Sequence, residues 1–449
     1  MRYIPHTDHD VATMLATLGV QSVDALFAHV PETLRAQAAI NLLPGQSEST
    51  VRTRLSALAT NNRIGPDTVS FLGAGAYPHV VPVVVDYLIQ RGEFATAYTP
   101  YQPEVSQGTL QAIFEFQSLV TAVFGLEVAN ASMYDGASAT AEAVLMAKRI
   151  GAQRQTVLIA RSLHPQYRQV IRTYLDGVPG VKIEELPWGD DGRLDTTQLT
   201  RRLDKTVSCV VVGYPNVFGI VEDVAQISEV THAAGALVVT ATTEALALGL
   251  LKAPGDLGAD IAVAEGQSFG IPLSYGGPGV GLFACRERFL RNMPGRLVGE
   301  TVDHDGRRGF VLTLATREQH IRRERATSNI CTNQGLCALA ATIYLCLLGK
   351  RGLRELAEHN VKKSHYAKDV LQHAGQFQPR FLAPFFNEFV LTVPHARSRW
   401  QRCAARQCLA GVVLEDWYPE LEDCLLLCVT ETHSRSDIDR LVEELTCKT

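Results

Sequence analysis

The chain has 449 residues, of which 46% are hydrophobic and 20% charged, and its formal net charge is −5. This length predicts two or three domains. The lack of a basic block excludes a nucleic-acid-binding protein, since phosphate contacts need clustered Lys and Arg. No apolar run approaches the length that spans a bilayer, and the N-terminus lacks a secretory signal pattern. We therefore expect a cytoplasmic protein with no nucleic acid and no membrane as partner.

The ten cysteines include no CxxC pair, and several lie in apolar stretches. In a cytosolic chain this usage is typical of small buried hydrophobic residues rather than of disulfides or metal ligands. The sequence therefore predicts no metal site.

Residues 1–60 have helical spacing without strand signals. The segments DVATMLATLGV and SVDALFAHVPETLR place apolar residues three and four apart, and Ser22 or Asp24 is suited to cap the second helix. We expect a helical N-terminal arm that docks on another surface.

From residue 61 to 335, short apolar runs alternate with helical stretches, which predicts a large α/β domain. Runs that are apolar on both faces and joined by helices indicate a doubly wound, mostly parallel sheet. They are TVLIA (156–160), VSCVVVGYP (207–215), ALVVT (236–240), ADIAVA (259–264) and a last strand GVGLFAC (279–285). A charged amphipathic helix, short alternating strands and a terminal helix then predict a smaller α+β domain over 336–449.

A glycine- and serine-containing turn opens a helix at YDGASATAEAVLMAKR (134–149). Free backbone N–H groups at such a helix N-terminus suit a cofactor phosphate near Ser138, whereas the alternative is an ordinary N-cap at Ser138 or Thr140. His164 follows the TVLIA strand. The order of these signals resembles that in the fold-type-I pyridoxal phosphate enzymes. The resemblance implies that His164 stacks on the pyridine ring, and the alternative is a structural histidine.

A working pyridoxal site needs an Asp for the pyridine nitrogen and a Lys for the Schiff base. Here the strand ALVVT runs into Ala241-Thr242-Thr243 without an acid, and the later segment AEGQSFGIPLSYGGPG (264–279) has no lysine. No lysine occurs from 253 through 349; the nine in the chain are Lys148, Lys182, Lys205, Lys252, Lys350, Lys362, Lys363, Lys368 and Lys448. A Schiff base from this chain at this location is therefore excluded.

Several segments together resemble the N-terminal half of the glycine cleavage system P-protein family, and more closely the α subunit of its split bacterial form. They are FLGAGAYPHVVPVVV, EFATAYTPYQPEVSQGTLQAIFEFQ, YDGASATAEA, EGQSFGIPLSYGGPG and LATREQHIRRERATSNICTNQ, and the resemblance extends over essentially the whole chain. It implies that the Schiff-base lysine belongs to a separate β subunit. Aligning the Gly-Gly-Pro-Gly turns places that lysine opposite Gln267 and the pyridine Asp opposite Ala241.

The resemblance implies one subunit of a glycine decarboxylase, assembled as α2β2, whose β subunit binds pyridoxal phosphate covalently. Such an enzyme removes carbon dioxide from glycine and passes the aminomethyl group to the lipoyl group of H-protein. The alternative is a non-enzymatic scaffold related to these enzymes, while the missing lysine and Asp argue against an ordinary aminotransferase.

Two segments are candidates to complete the partner's site, because fold-type-I enzymes build active sites at a dimer interface. The loop AYTPYQPEVSQG (97–108) suits either a substrate-facing loop or a plain structural one. The segment RERATSNICT (323–332) is suited to hold the partner's cofactor phosphate, and its hydroxyls are also suited to cap a helix beginning near Cys331. The candidate residues are Tyr98, Tyr101, Glu104, Arg325, Thr327, Ser328 and Asn329.

Overall fold

The computed structural model describes residues 5–38, 40, 42–62, 67–94, 99–374 and 377–447. The chain divides into two compact units, Met1–Gly65 and Pro66–Thr449. The helices of the first unit are α1 (Asp8–Leu18), α2 (Glu32–Gln37) and α3 (Glu48–Ala59). The helices of the second are α4 (Val83–Ile89), α5 (Gln107–Phe124), α6 (Gly136–Ile150), α7 (Pro165–Leu175), α8 (Thr196–Arg202), α9 (Val224–Ala233), α10 (Gln319–Arg322), α11 (Gly335–His373), α12 (Ala396–Ala405) and α13 (Arg435–Thr446).

The strands all belong to the second unit as far as the described ranges extend. They are β1 (Val69–Ser70), β2 (Val128–Ala129), β3 (Thr156–Ala160), β4 (Lys182–Leu186), β5 (Val207–Gly213), β6 (Leu237–Thr242), β7 (Ile261–Glu265), β8 (Gly281–Cys285), β9 (Leu297–Val302), β10 (Arg308–Thr313), β11 (Gln378–Pro379), β12 (Glu388–Thr392), β13 (Cys408–Leu409), β14 (Val412–Val413) and β15 (Cys424–Cys428).

The N-terminal unit is helical, as its apolar spacing predicts. Thr7 caps α1 by accepting a hydrogen bond from Asp10 N at 3.2 Å. The prediction of one long second helix was wrong. Ser22 accepts from Ala25 N at 3.2 Å and begins only a short turn, and α2 starts after Pro31. Pro31 has no N–H to continue a helical ladder.

No described residue of α1, α2 or α3 is buried. The arm therefore carries apolar side chains at helical spacing that face water, namely Met14, Leu18, Leu34, Val51, Leu55 and Leu58.

A mixed sheet lies at the centre of the second unit, with its described strands in the order β2-β8-β7-β6-β5-β3-β4. The strands from β7 to β4 run parallel, whereas β8 is antiparallel to both of its neighbours. Every residue of β3, β5, β7 and β8 is buried, because α6 and α7 cover one face while α5, α8, α9 and α11 cover the other. The doubly wound α/β prediction is confirmed.

A smaller antiparallel sheet follows, in the order β11-β12-β15-β14, with α12 and α13 packed on it. The helix α11 changes direction at Gly349, whose φ of 59° is not helical. Before this bend Ala341 and Tyr344 pack in the core of the large sheet, and after it Ala367 and Leu371 pack against the small sheet. One helix thus links the two cores.

The helix α11 also corrects the expectation that no apolar run has membrane-spanning length. By length and composition alone it qualifies as a candidate span. Core helices meet the same criteria, and one side of α11 before Gly349, with Ala341 and Tyr344, packs in the core beside the large sheet.

A buried ion triad of His79, Glu244 and Glu431 joins the loop before α4 to both sheets. His79 Nε2 lies 2.9 Å from Glu244 Oε2, just after β6, and His79 Nδ1 lies 2.8 Å from Glu431 Oε2, just after β15. Burial by itself lowers the pKa of His79, but the two carboxylates outweigh it and raise that pKa to about 10. Burial opposes ionisation of Glu431 as well, but the hydrogen bond from His79 brings the pKa of Glu431 down to about 2. His79 is therefore a cation at neutral pH.

His79→Gln should destabilise the protein by about 3 kcal/mol near pH 6, because two buried carboxylates lose their cation. The folded pKa of His79 is about 10 and its ordinary value 6.5, so its contribution is complete below pH 6.5 and disappears as pH rises through 10. Urea unfolding curves should show the deficit shrinking over this range. His304→Gln, at a 90% exposed side chain, is the matched control. A deficit of the same size at both ends of the range would contradict the charged triad.

Candidate functional site

The carboxyl end of β6, where a pyridoxal enzyme carries its Asp, is apolar at the corresponding position. Ala241 is 1% exposed and pairs in register with Gly213 of β5 and Val263 of β7. The next acid along the chain, Glu244, is paired with His79. Its carboxylate therefore belongs to the triad.

Gln267 follows β7, and its side-chain amide is held at both ends. The Oε1 atom accepts a hydrogen bond from Tyr77 N at 3.0 Å, and Nε2 donates to Ile271 O at 2.8 Å. Both partners are backbone groups, so the amide ties the turn after β7 to a segment from the beginning of the second unit.

The N-terminus of α6 already holds an acidic side chain, the carboxyl group of Glu265. Gly136 N donates to Glu265 Oε2 at 2.8 Å, while Gln267 N and Val280 N donate to Oε1 at 3.1 and 3.0 Å. Burial raises the pKa of Glu265 to about 7, against these backbone hydrogen bonds, which favour the charged form. The anion site that the sequence predicts at this helix is occupied from within the chain.

The N-cap of α6 is Asp135, so the capping alternative for Ser138 and Thr140 was wrong. Asp135 Oδ1 accepts from Ser138 N at 2.7 Å, and Ser138 Oγ accepts from Asp135 N at 3.2 Å. Asp135 has extended backbone, with a φ of −157°, whereas Ser138 is already inside the helix. An N-cap residue needs the extended conformation, which Asp135 alone of the three has.

Residues Ala74–His79, which we name the plug segment, lie between the large-sheet strand ends and the small sheet. Ala74 O lies 2.8 Å from His164 Nε2, and Ala74 N donates to Glu388 Oε1 at 2.6 Å. Tyr77, which is 1% exposed, donates from its hydroxyl to Glu388 Oε2 at 2.8 Å. With the Gln267 contact, these bonds hold the plug segment on three sides.

His164 is a buried histidine at the start of α7. Its Nδ1 accepts from Gln166 N at 3.3 Å, and its Nε2 donates to Ala74 O. Burial lowers the pKa of His164, so the ring is neutral at pH 7. The ring centroid lies 5.4 Å from that of Trp417. The polar partners of the ring, Ala74 O and Gln166 N, belong to the same chain.

The candidate partner-facing residues are mostly at the surface. Tyr98 lies outside the described residues. Tyr101 is 56% exposed and Arg325 has an 84% exposed side chain. Of the others, Glu104 and Asn329 are exposed, and Thr327 and Ser328 are half-buried.

Ser328 is engaged inside its own chain. Its Oγ donates a hydrogen bond to Glu142 Oε1 of α6 at 2.7 Å. Burial raises the pKa of the Glu142 carboxyl group. The helix expected near Cys331 begins at Gly335, with Gln334 as its N-cap. The capping role for the hydroxyls of this segment was therefore wrong, because the residues between 326 and 335 are not helical and lead the chain to α11.

The fold places the chain in the fold-type-I class of pyridoxal phosphate enzymes, as the sequence predicts. It is similar, with a TM-score of 0.65 and 16% identity, to a sphingosine-1-phosphate lyase from Burkholderia pseudomallei, over 91% of this chain and 92% of that one. The family model of the glycine cleavage system P-protein matches residues 1–445. The chain belongs to this family.

Relatives within the family match over full length. A probable glycine dehydrogenase (decarboxylating) subunit 1 from Desulforamulus reducens is 49% identical over 446 residues, which is 99% of each chain. A crystal structure of glycine decarboxylase (P-protein) of the glycine cleavage system, in inhibitor-bound form, is 44% identical with a TM-score of 0.91, over 99% of each chain. The name subunit 1 denotes one part of a multi-subunit enzyme.

The side chains of this chain do not fit a bound pyridoxal phosphate. A phosphate at the N-terminus of α6 would meet the carboxylate of Glu265, and a pyridine ring beside His164 would meet the plug segment. The positions that we align with the catalytic lysine and Asp hold Gln267 and Ala241. The pocket of the fold class is thus filled by the chain itself.

Sequence analysis missed the residues that fill the pocket, Tyr77, Glu265 and Glu388. A signal existed for Glu265, since a single glutamate ends the otherwise apolar strand IAVAE. Tyr77 and Glu388 lie 311 positions apart, and no local pattern relates them.

The purified chain should form no stoichiometric adduct with pyridoxal phosphate after borohydride reduction, as read by peptide mapping. Gln267→Lys should also fail to retain the cofactor, because the plug segment and Glu265 remain in place and Ala241 offers no acid. Lys252 is exposed, and its partial modification measures the non-specific reaction of pyridoxal phosphate with surface lysines. One full equivalent on a single lysine, in either protein, would refute the filled pocket.

Proposed function

We propose that this chain is the non-catalytic α subunit of a two-subunit glycine decarboxylase of the glycine cleavage system. The partner β subunit binds pyridoxal phosphate covalently, and the α2β2 complex decarboxylates glycine and transfers the aminomethyl group to the lipoyl group of H-protein in the cytoplasm. The observation that carries this proposal is a filled cofactor pocket in a chain that matches the P-protein family over residues 1–445.

Exposed apolar side chains support the need for a partner subunit. The arm helices bury none of their described residues. In the second unit Val83 is 84% exposed and Tyr87 61% exposed on α4, and Tyr275 is 93% exposed in the glycine-rich turn before β8. Apolar surface of this kind marks an interaction site, and obligate subunits bury about 2,000 Å2 or more.

Two exposed segments are assigned to the partner's active site. The loop with Tyr101 and Glu104 faces glycine, since it presents a phenol and a carboxylate at the surface. The segment with Arg325 and Thr327 faces the cofactor phosphate, since guanidinium and hydroxyl groups bind phosphate by charge-assisted hydrogen bonds. Ser328 has a supporting role, because its hydroxyl is already bound to Glu142.

Glycine–bicarbonate exchange should require both subunits together with H-protein. Co-expression with the β subunit should give a soluble complex, whereas the chain alone should self-associate through its exposed apolar surface. Exchange by the β subunit and H-protein at the full rate without this chain would overturn the proposal in favour of a non-enzymatic scaffold. Gel filtration reports assembly, and omission of H-protein is the control for exchange.

Substitutions in the two segments should separate cofactor binding from turnover. Replacing Arg325 by Gln and Thr327 by Val should weaken pyridoxal phosphate retention by the complex roughly tenfold, since charge-assisted hydrogen bonds are lost. Tyr101→Phe and Glu104→Gln should lower glycine exchange and leave cofactor content unchanged.

The control for these variants is Thr301→Val, at an exposed threonine of β9. Absorbance of the bound cofactor after dialysis gives retention, and gel filtration verifies assembly. Normal retention in an assembled Arg325/Thr327 variant would remove that segment from the phosphate site.

A further inference from the structure

Arg296 is a buried arginine that sequence analysis did not single out. It lies just before β9 with a side chain that is 5% exposed. Its guanidinium donates to Tyr101 Oη at 3.0 Å, to Thr332 Oγ1 at 3.1 Å and to Thr99 Oγ1 at 3.3 Å, and lies 3.4 Å from Glu318 Oε2. Glu318 balances the charge, and the three hydroxyls accept from three of the four remaining N–H donors.

This arrangement determines what the Tyr101 hydroxyl does. Because the phenol oxygen accepts from Arg296, its own proton remains to be donated elsewhere. Tyr101 is 56% exposed, so its side chain lies at the surface. A phenol polarised by a guanidinium is a suitable hydrogen-bond donor for a carboxylate, and glycine has one.

The other end of the same loop is also held. Gln107 Nε2 donates to Phe310 O at 2.8 Å, and Phe310 N donates to Gln107 Oε1 at 2.9 Å, which fastens the start of α5 to β10. Between the two anchors, Glu104 and Val105 are exposed. The described part of the loop, residues 99–108, is thus held near both of its ends and presents its middle to the surface.

We propose that Arg296 is a positioning residue that orients the Tyr101 hydroxyl as a donor toward the carboxylate of glycine at the partner's active site. The inference rests on the proposed function, because the substrate belongs to the complex. Arg296 does not touch substrate itself. It acts through Tyr101, and Thr332 and Glu318 hold the guanidinium in the required plane.

A purely structural role and a positioning role of Arg296 predict different combined effects of substitutions at Arg296 and Tyr101. If Arg296 only stabilised the fold, Arg296→Lys and Tyr101→Phe would change activity independently, and their effects would multiply. If Arg296 acts through Tyr101, either substitution removes the same oriented donor. The double variant is then hardly worse than either single one.

The test uses the assembled complex with H-protein. Arg296→Lys, which keeps the charge but not the planar fork, should raise the KM for glycine about tenfold and leave bound cofactor unchanged. Tyr101→Phe should do the same, and the double variant should stay within about twofold of either. Arg291→Lys, at an exposed arginine of the same region, should keep the wild-type KM.

The outcomes are distinguishable from those for the proposed function. An inactive wild-type complex would overturn the function itself. With an active wild type, a normal KM in Arg296→Lys, or losses that multiply in the double variant, would overturn the positioning role. Should Arg296→Lys fail to assemble, Thr332→Val, which removes one of the groups that hold the guanidinium, takes its place. A raised KM that Tyr101→Phe does not raise further supports the proposal, and a normal KM overturns it.

Discussion

The carboxylate of Glu265 accepts hydrogen bonds from the backbone of Gly136, Gln267 and Val280. These three groups lie at the start of α6, in the turn after β7 and just before β8, so one side chain brings three elements together. Burying a carboxylate costs several kcal/mol unless it is hydrogen-bonded, and each such bond to a charged group returns about 1.5–3 kcal/mol. The surroundings are correspondingly closed, since a Cβ at Gly279 would lie 2.9 Å from Glu265 Oε1. The relative positions of α6, the turn after β7 and the start of β8 depend on this contact.

The plug segment extends the same arrangement to the rest of the second unit. Tyr77 connects Gln267 of the large sheet to Glu388 of the small one, and His79 connects Glu244 to Glu431. The strand ends of the large sheet face the chain's own backbone. The plug segment therefore ties the two sheets to each other through buried hydrogen bonds and ion pairs.

Much of the fold was predictable because its signals are local. The strands β3 and β5 are apolar on both faces, and a missing lysine or Asp is read directly from the residues present. The strand β4 was missed because it lies at the sheet edge, where Lys182, Glu184 and Glu185 are tolerated. The contents of the pocket could not be predicted, since Tyr77 and Gln267 are 190 positions apart and meet only through the fold. Arg296 was overlooked for the same reason.

The steric position of Gly136 has an evolutionary consequence. A Cβ there would lie 2.3 Å from Tyr167 Oη and 2.7 Å from Glu265 N. Only glycine therefore allows the start of α6 to pack this closely against Glu265. A pyridoxal site at these positions would require a lysine for Gln267, an Asp for Ala241, loss of Glu265 and displacement of the plug segment. Each step alone leaves a buried group without its partner, at a cost of about 1–3 kcal/mol. Selection acting on single substitutions would therefore have to pass through destabilised intermediates.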